Sequence, residues 1–165
     1  DLVYGVTPRI NFIFKRPWDD PYEVEHQFNL VNADDTKRPS CFAAQTICAL
    51  FSETPEKDTT PIAIEAPEAA TPELHAFRGK LREVPMLVIL LWSGVPPDAS
   101  GGYGHGMARL TISTTHYADP VLYDLLLPLP VEAAPIPSIA VGETLILPHV
   151  PLHDSPIAIC LKQRS

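Results

Sequence analysis

A chain of 165 residues, 45% of them hydrophobic and 19% charged, is long enough to bury one core and too apolar to stay disordered. Its net charge is −8 and its densest basic stretch is only Arg78, Lys80 and Arg82, so a nucleic-acid partner has no electrostatic footprint. The longest apolar run, Met86 to Trp92, falls far short of the ~20 residues a membrane-spanning helix needs, which argues against membrane insertion.

Nineteen prolines divide the chain into short elements. Ile10, Phe12 and Phe14 alternate with Asn11, Ile13 and Lys15 and predict a strand that closes at Arg16-Pro17. Trp18 follows in a charged loop, where it serves as a lid on the core or an interface anchor, the lid being preferred. Tyr22, Val24, His26, Phe28 and Leu30 then share one face of a second strand, with Glu23, Glu25, Gln27 and Asn29 on the other. Asn32-Ala33-Asp34-Asp35 is a turn signal.

Ser40 is a reasonable N-cap for a helix reaching Phe51, with Cys41, Ala44, Ile47, Cys48 and Phe51 on one face. Residues 53–61 form a polar loop, and 62–65 a short edge strand. Thr71-Pro72-Glu73 has the cap, first-turn proline and acid of a helix start, and Leu74, Phe77, Leu81 and Val84 supply an apolar stripe. A helix is therefore expected over 71–84, with His75 at its exposed edge and Gly79 weakening it by roughly 1 kcal/mol.

Met86 to Trp92 is apolar at every position, so it predicts a central strand with a helix over at least one face. A glycine-rich loop spans 94–106. Arg109 to Thr115 alternates as a strand with Leu110 and Ile112 inward. Asp119-Pro120 suggests a short helix through Leu126, and 128–138, with four prolines, an extended arm. Thr144–Leu147 and Ile157–Lys162 are expected as strands separated by a proline-rich turn. The expected fold is a single α+β domain over 1–165, a mainly antiparallel sheet of about five to seven short strands with two or three helices on it. The alternative is an all-β sandwich.

Three arrangements bear on chemistry. Cys41 sits just inside a predicted helix start, where the helix dipole favours thiolate, and His105 precedes a later strand as a candidate base. Asp119 and His116 are nominees for an orienting residue. Cysteine first on a helix and histidine later on a strand resembles the layout of papain-like hydrolases. The resemblance covers that order alone, because Pro39-Ser40-Cys41-Phe42 and Gly104-His105-Gly106-Met107 do not match the family's signatures. A buried structural cysteine with a loop histidine is the preferred reading. His149 and His153, beside Asp154, are candidate metal ligands, but Pro148 and Pro151 forbid the helix that would bring them together. In an extended chain their rings stand roughly 13 Å apart. Gly101, Gly102, Tyr103 and Gly104 form a contact loop suited to a partner rather than a phosphate cradle, since it leads into a strand.

Three cysteines, an odd number with no CxxC, imply no disulfide framework and favour a reducing compartment or the surface of a virion assembled in one. A chain that opens on Asp1 reads as a processed product or part of something longer. No cofactor is indicated. The expected function is a soluble, non-enzymatic surface, assembly or recognition module, such as a capsid protrusion, that engages a protein partner or itself through exposed loops. The alternative is a thiol hydrolase using Cys41 and His105.

Overall fold

The computed structural model describes residues 30–32, 34–51, 55–94, 106–128 and 134–164. Within them the chain is mostly strand. Two antiparallel sheets lie face to face, and one helix, α1 (Pro39–Leu50), packs on the outside of one of them. The strands in chain order are β1 (Glu56–Lys57), β2 (Ile62–Glu65), β3 (Pro72–Leu81), β4 (Val84–Ser93), β5 (Gly106–Ser113), β6 (Tyr117–Asp124), β7 (Ala134–Pro135), β8 (Ile139–Val141), β9 (Thr144–Leu152) and β10 (Ile157–Gln163). The six-stranded sheet runs β1-β3-β4-β10-β6-β7 and the four-stranded sheet β2-β5-β9-β8.

The predicted central strand is found where its composition requires. β4 lies between β3 and β10, and its side chains alternate between two cores. Leu87, Ile89 and Leu91 meet Leu110, Ile112, Leu145, Leu147 and Ile159 between the sheets. Met86, Val88 and Leu90 face the other way, with Leu50 of α1, Phe77 and Cys160. β10 repeats this division, with Ile157, Ile159 and Leu161 inward and Ala158 and Cys160 towards the helix. The expected strands at 62–65 and 109–115 are β2 and β5, with Leu110 and Ile112 fully buried.

Helix α1 begins at Pro39, whose missing N–H costs nothing in a first turn, so Ser40 is inside the helix rather than its cap. The capping residue is Arg38, whose side chain donates to the Asn32 Oδ1 instead of capping the helix; its carbonyl accepts the Cys41 N–H at 2.9 Å. The buried helix residues are Cys41, Thr46 and Leu50, while Cys48 is exposed. Leading into α1, the predicted turn is present. Val31 bridges Lys37, and the Asp34 carboxylate accepts the Thr36 N–H at 3.0 Å and its hydroxyl at 2.6 Å.

Two expected helices are strands, so the α+β form with two or three helices gives way to a β-rich one with a single helix among the described residues. Residues 72–81 pair along their whole length with β4, Pro72 opposite Ser93 through Leu81 opposite Val84. The apolar stripe misled because β3 is covered on both sides. Leu74 and Ala76 face the sheet interface while Phe77 and Leu81 face α1. Apolar residues of both parities imitate helical spacing. His75 accordingly lies on a strand, its ring stacked on Trp92 with centroids 5.4 Å apart.

Asp119-Pro120 likewise starts no helix. It forms a bulge in β6, where the register with β10 shifts between Cys160 and Lys162, and Asp119 takes a left-handed φ of 50°. A bulge is one of the few places where a sheet accepts proline. The segment 128–138 is not a free arm where it is described. Ala134–Pro135 pairs with β6, the Ile136 N–H donates to the Pro120 carbonyl at 2.9 Å, and Ile136 is buried between the sheets. β9 also runs past its expected end, through Pro148 and Pro151 to Leu152. Its register with β5 shifts opposite Arg109, and β8 flanks only its first three residues, so neither proline interrupts a doubly paired ladder. The predicted strands at 10–15 and 22–30 lie outside the described residues. No helix among the described residues is long and apolar enough to cross a membrane.

Candidate functional site

The polar end of the sandwich is built around Asp58. The β1–β2 connection, Asp58-Thr59-Thr60-Pro61, crosses from the edge of one sheet to the edge of the other. Its first residue is tied down through both backbone and side chain. The Asp58 N–H donates to the Ala76 carbonyl at 2.9 Å, and its carboxylate accepts the Thr60 N–H at 2.8 Å, an aspartate turn. The same carboxylate, only 5% exposed, faces Arg78 Nε at 3.3 Å and the Tyr117 hydroxyl at 3.5 Å. Arg78 also reaches Glu56 at 3.6 Å.

Burial alone would raise the pKa of Asp58, but the hydrogen bonds from Thr60 and the Arg78 guanidinium outweigh it and hold the carboxyl below its ordinary 3.8. Burial, with the Asp58 charge beside it, lifts the Tyr117 phenol above its usual range. Asp58 is thus an ionised group joining the β1–β2 connection to β3 and β6.

Two hollows flank this connection and share Thr60. One, of about 260 Å³, lies towards Lys57, Leu74 and His75; the other, of about 350 Å³, is lined by Ser113, Thr114, Thr115, His116, Glu143 and Thr144. The second is a hydroxyl-bearing surface where the β5–β6 and β8–β9 turns converge. It offers both donors and acceptors to a polar partner. The sequence carried one signal for this site, the Asp-x-Thr-Pro turn; the pairing of Asp58 with Arg78 and Tyr117 depends on strand order and has no local signature.

The other surface of note is the outer face of the four-stranded sheet. Register assigns its side chains. Ile139 opposes Ile146, Val141 opposes Thr144, Ile146 opposes Thr111, Thr111 opposes Ala63, Met107 opposes Pro151, and Arg109 opposes Glu65. Since Leu110, Ile112, Leu145 and Leu147 point inward, these residues point out. Met107 is 61% exposed, Ile139 53% and Val141 59%. Unlike the six-stranded sheet, this one has no helix over it among the described residues.

Of the residues expected to carry thiol chemistry, Cys41, His116 and Asp119 are among the described ones. Cys41 is 4% exposed in the first turn of α1, against the six-stranded sheet. Asp119 is exposed in the β6 bulge, and His116 lies in the turn before β6. His105 lies outside the described residues, as do Trp18, Gly101, Gly102, Tyr103 and Gly104. Cys160 is the most deeply placed thiol, its pKa pushed up to about 12 by burial. His149 is exposed at the β9 irregularity and His153 follows the strand; no group of three or more His, Cys, Asp or Glu among the described residues is placed to hold a metal ion.

The chain matches no family model, no curated protein and no solved structure.

Proposed function

We propose that this protein is a non-enzymatic assembly or recognition module that works by presenting one face of a β-sandwich to a protein partner. The observation that carries this reading is the inequality of its two sheets. One is covered by α1; the other leaves Met107, Ile139 and Val141 more than half exposed on a flat outer face. Ile139 and Val141 lie side by side on β8, and exposed apolar surface of this kind marks interaction sites in soluble proteins.

Strand order lends support at the level of fold analogy. Following β4, β5 and β6, the chain returns so that β10 pairs with β4 and with β6, while β9 pairs with β5 and with β8. The β4–β10 and β5–β9 pairs nest like the outer pairs of a jelly roll, an architecture used by viral capsids, lectins and cupins, while β7 beside β6 departs from that order. It suits a surface or capsid module and does not by itself choose one.

The rival reading needs an accessible thiolate at Cys41. Native alkylation followed across pH by mass spectrometry separates the two. The module reading expects Cys48 to label readily and Cys41 and Cys160 only on denaturation. Labelling of Cys41 ahead of Cys48 below neutral pH, slowed by His105→Ala, would replace this reading with the thiol enzyme.

A further inference from the structure

The outer face of the four-stranded sheet has a charge pattern that narrows its partner. The chain carries −8 overall. Among the described residues the register places two ionised side chains on this face, Glu65 and Arg109, on adjacent strands, and they pair with each other at 3.8 Å. Around that pair stand Ala63, Thr111, Thr144, Ile146, Ile139 and Val141, with Met107 and the exposed His149, neutral in the formal charge count, beyond it. The face is therefore electrically neutral on a strongly acidic molecule. Two copies repel across most approaches and meet no net repulsion here.

We infer that this face is an isologous contact between two copies of the chain, each covering the other's Ile139, Val141 and Met107. The inference rests on the module reading and names its partner. A partner recognised by charge would find one already-neutralised ion pair to bind, whereas a second copy brings the same flat, β-branched surface. Strands of 4, 8, 9 and 3 residues, ~4.8 Å apart and rising ~3.3 Å per residue, present roughly 400 Å² in projection. That lies below the ~800 Å² per partner of a standard stable interface. The expected complex is a weak, reversible dimer rather than an obligate one. Such a contact becomes effective when many copies are held side by side, as in an assembly.

Sedimentation equilibrium of the full chain from about 1 μM to about 1 mM tests this. The weight-average mass is expected to climb from 18.1 kDa towards twice that value as concentration rises. Ile139→Glu, which sets a carboxylate into the apolar contact on both copies, should weaken association by ~10-fold or more. Leu127→Glu, an equally exposed apolar position just past β6 of the other sheet, should leave it unchanged. A wild-type mass constant at 18.1 kDa throughout, or dimerisation that survives Ile139→Glu, overturns the inference. A monomer whose Cys41 resists native alkylation would still be a module, with the second copy ruled out as its partner; a monomer with a reactive Cys41 would remove both readings.

Discussion

Gly79 shows how a single residue sets a layer of this structure. As a helix residue it would be only a weak point. In β3 it lies tight against the C-terminal end of α1, since a β-carbon there would stand 2.7 Å from the Leu50 carbonyl oxygen and 2.8 Å from a Val88 methyl. The rings of Phe51 and Phe77 pack edge to face beside it, 5.8 Å apart. Gly79→Ala must push the helix end away or bend the strand, and is expected to destabilise the protein by about 1–3 kcal/mol, read as a lower urea midpoint. Asp58 is the second such residue. Its carboxyl titrates below 3.8 in the folded state, so its ionisation stabilises the fold above that pH and the benefit fades as pH falls through 3.8 towards the folded value. Asp58→Asn should therefore cost most near neutral pH. The stability gap between the variant and wild type, from urea titrations at about pH 7 and about pH 3, should close in acid. A gap of constant size would mean that the Thr60, Arg78 and Tyr117 contacts do not depend on charge.

At the scale of elements, the hairpins explain what was legible and what was not. Gly142-Glu143 joins β8 to β9 with a φ of 57° at the glycine alone, the pattern of a type II′ turn, which a Gly-x pair encodes directly. Arg82-Glu83 joins β3 to β4 with φ of 50° and 66°, a type I′ turn made from two residues that disfavour it. With no Asn-Gly to announce the turn, and with Thr71-Pro72-Glu73 imitating a helix start, the local signal over 71–84 pointed the wrong way. Pairing with the strongly apolar β4 overrode it. Replacing Arg82 with Asn and Glu83 with Gly should relieve this strain and stabilise the protein by roughly 1–2 kcal/mol, a rise in melting temperature of about 2–8 °C. Unchanged or lower stability would show that Arg82 or Glu83 makes compensating contacts. By contrast β4 itself, β2 and β5 were readable, because a continuous apolar run and strict alternation survive their tertiary setting; α1 was expected as a helix but its buried face was misassigned, since Thr46 and Leu50 are buried and Cys48 is exposed. Asp119-Pro120 was not, because the same dipeptide serves a helix start and a bulge, and only the β10 register decides between them.

For the whole molecule, the sequence conveyed the amount of core and little of its partition. Single-residue alternation is visible locally, but which of two sheets a strand joins is a long-range fact, and here β4 pairs with a strand some seventy residues later. The outer face of the four-stranded sheet was invisible for that reason. Met107, Thr111, Ile139 and Ile146 come from three strands and meet only after closure. The working surface of the molecule, in the reading given above, is this face rather than any one loop. Amide hydrogen exchange compared at low and high protein concentration tests that most directly. Protection in β8 and β9 is expected to grow with concentration while β3 and β4, beneath α1, keep theirs. Identical protection at both concentrations, or a gain confined to β1 and β3, would show that this face is not the surface through which the protein works.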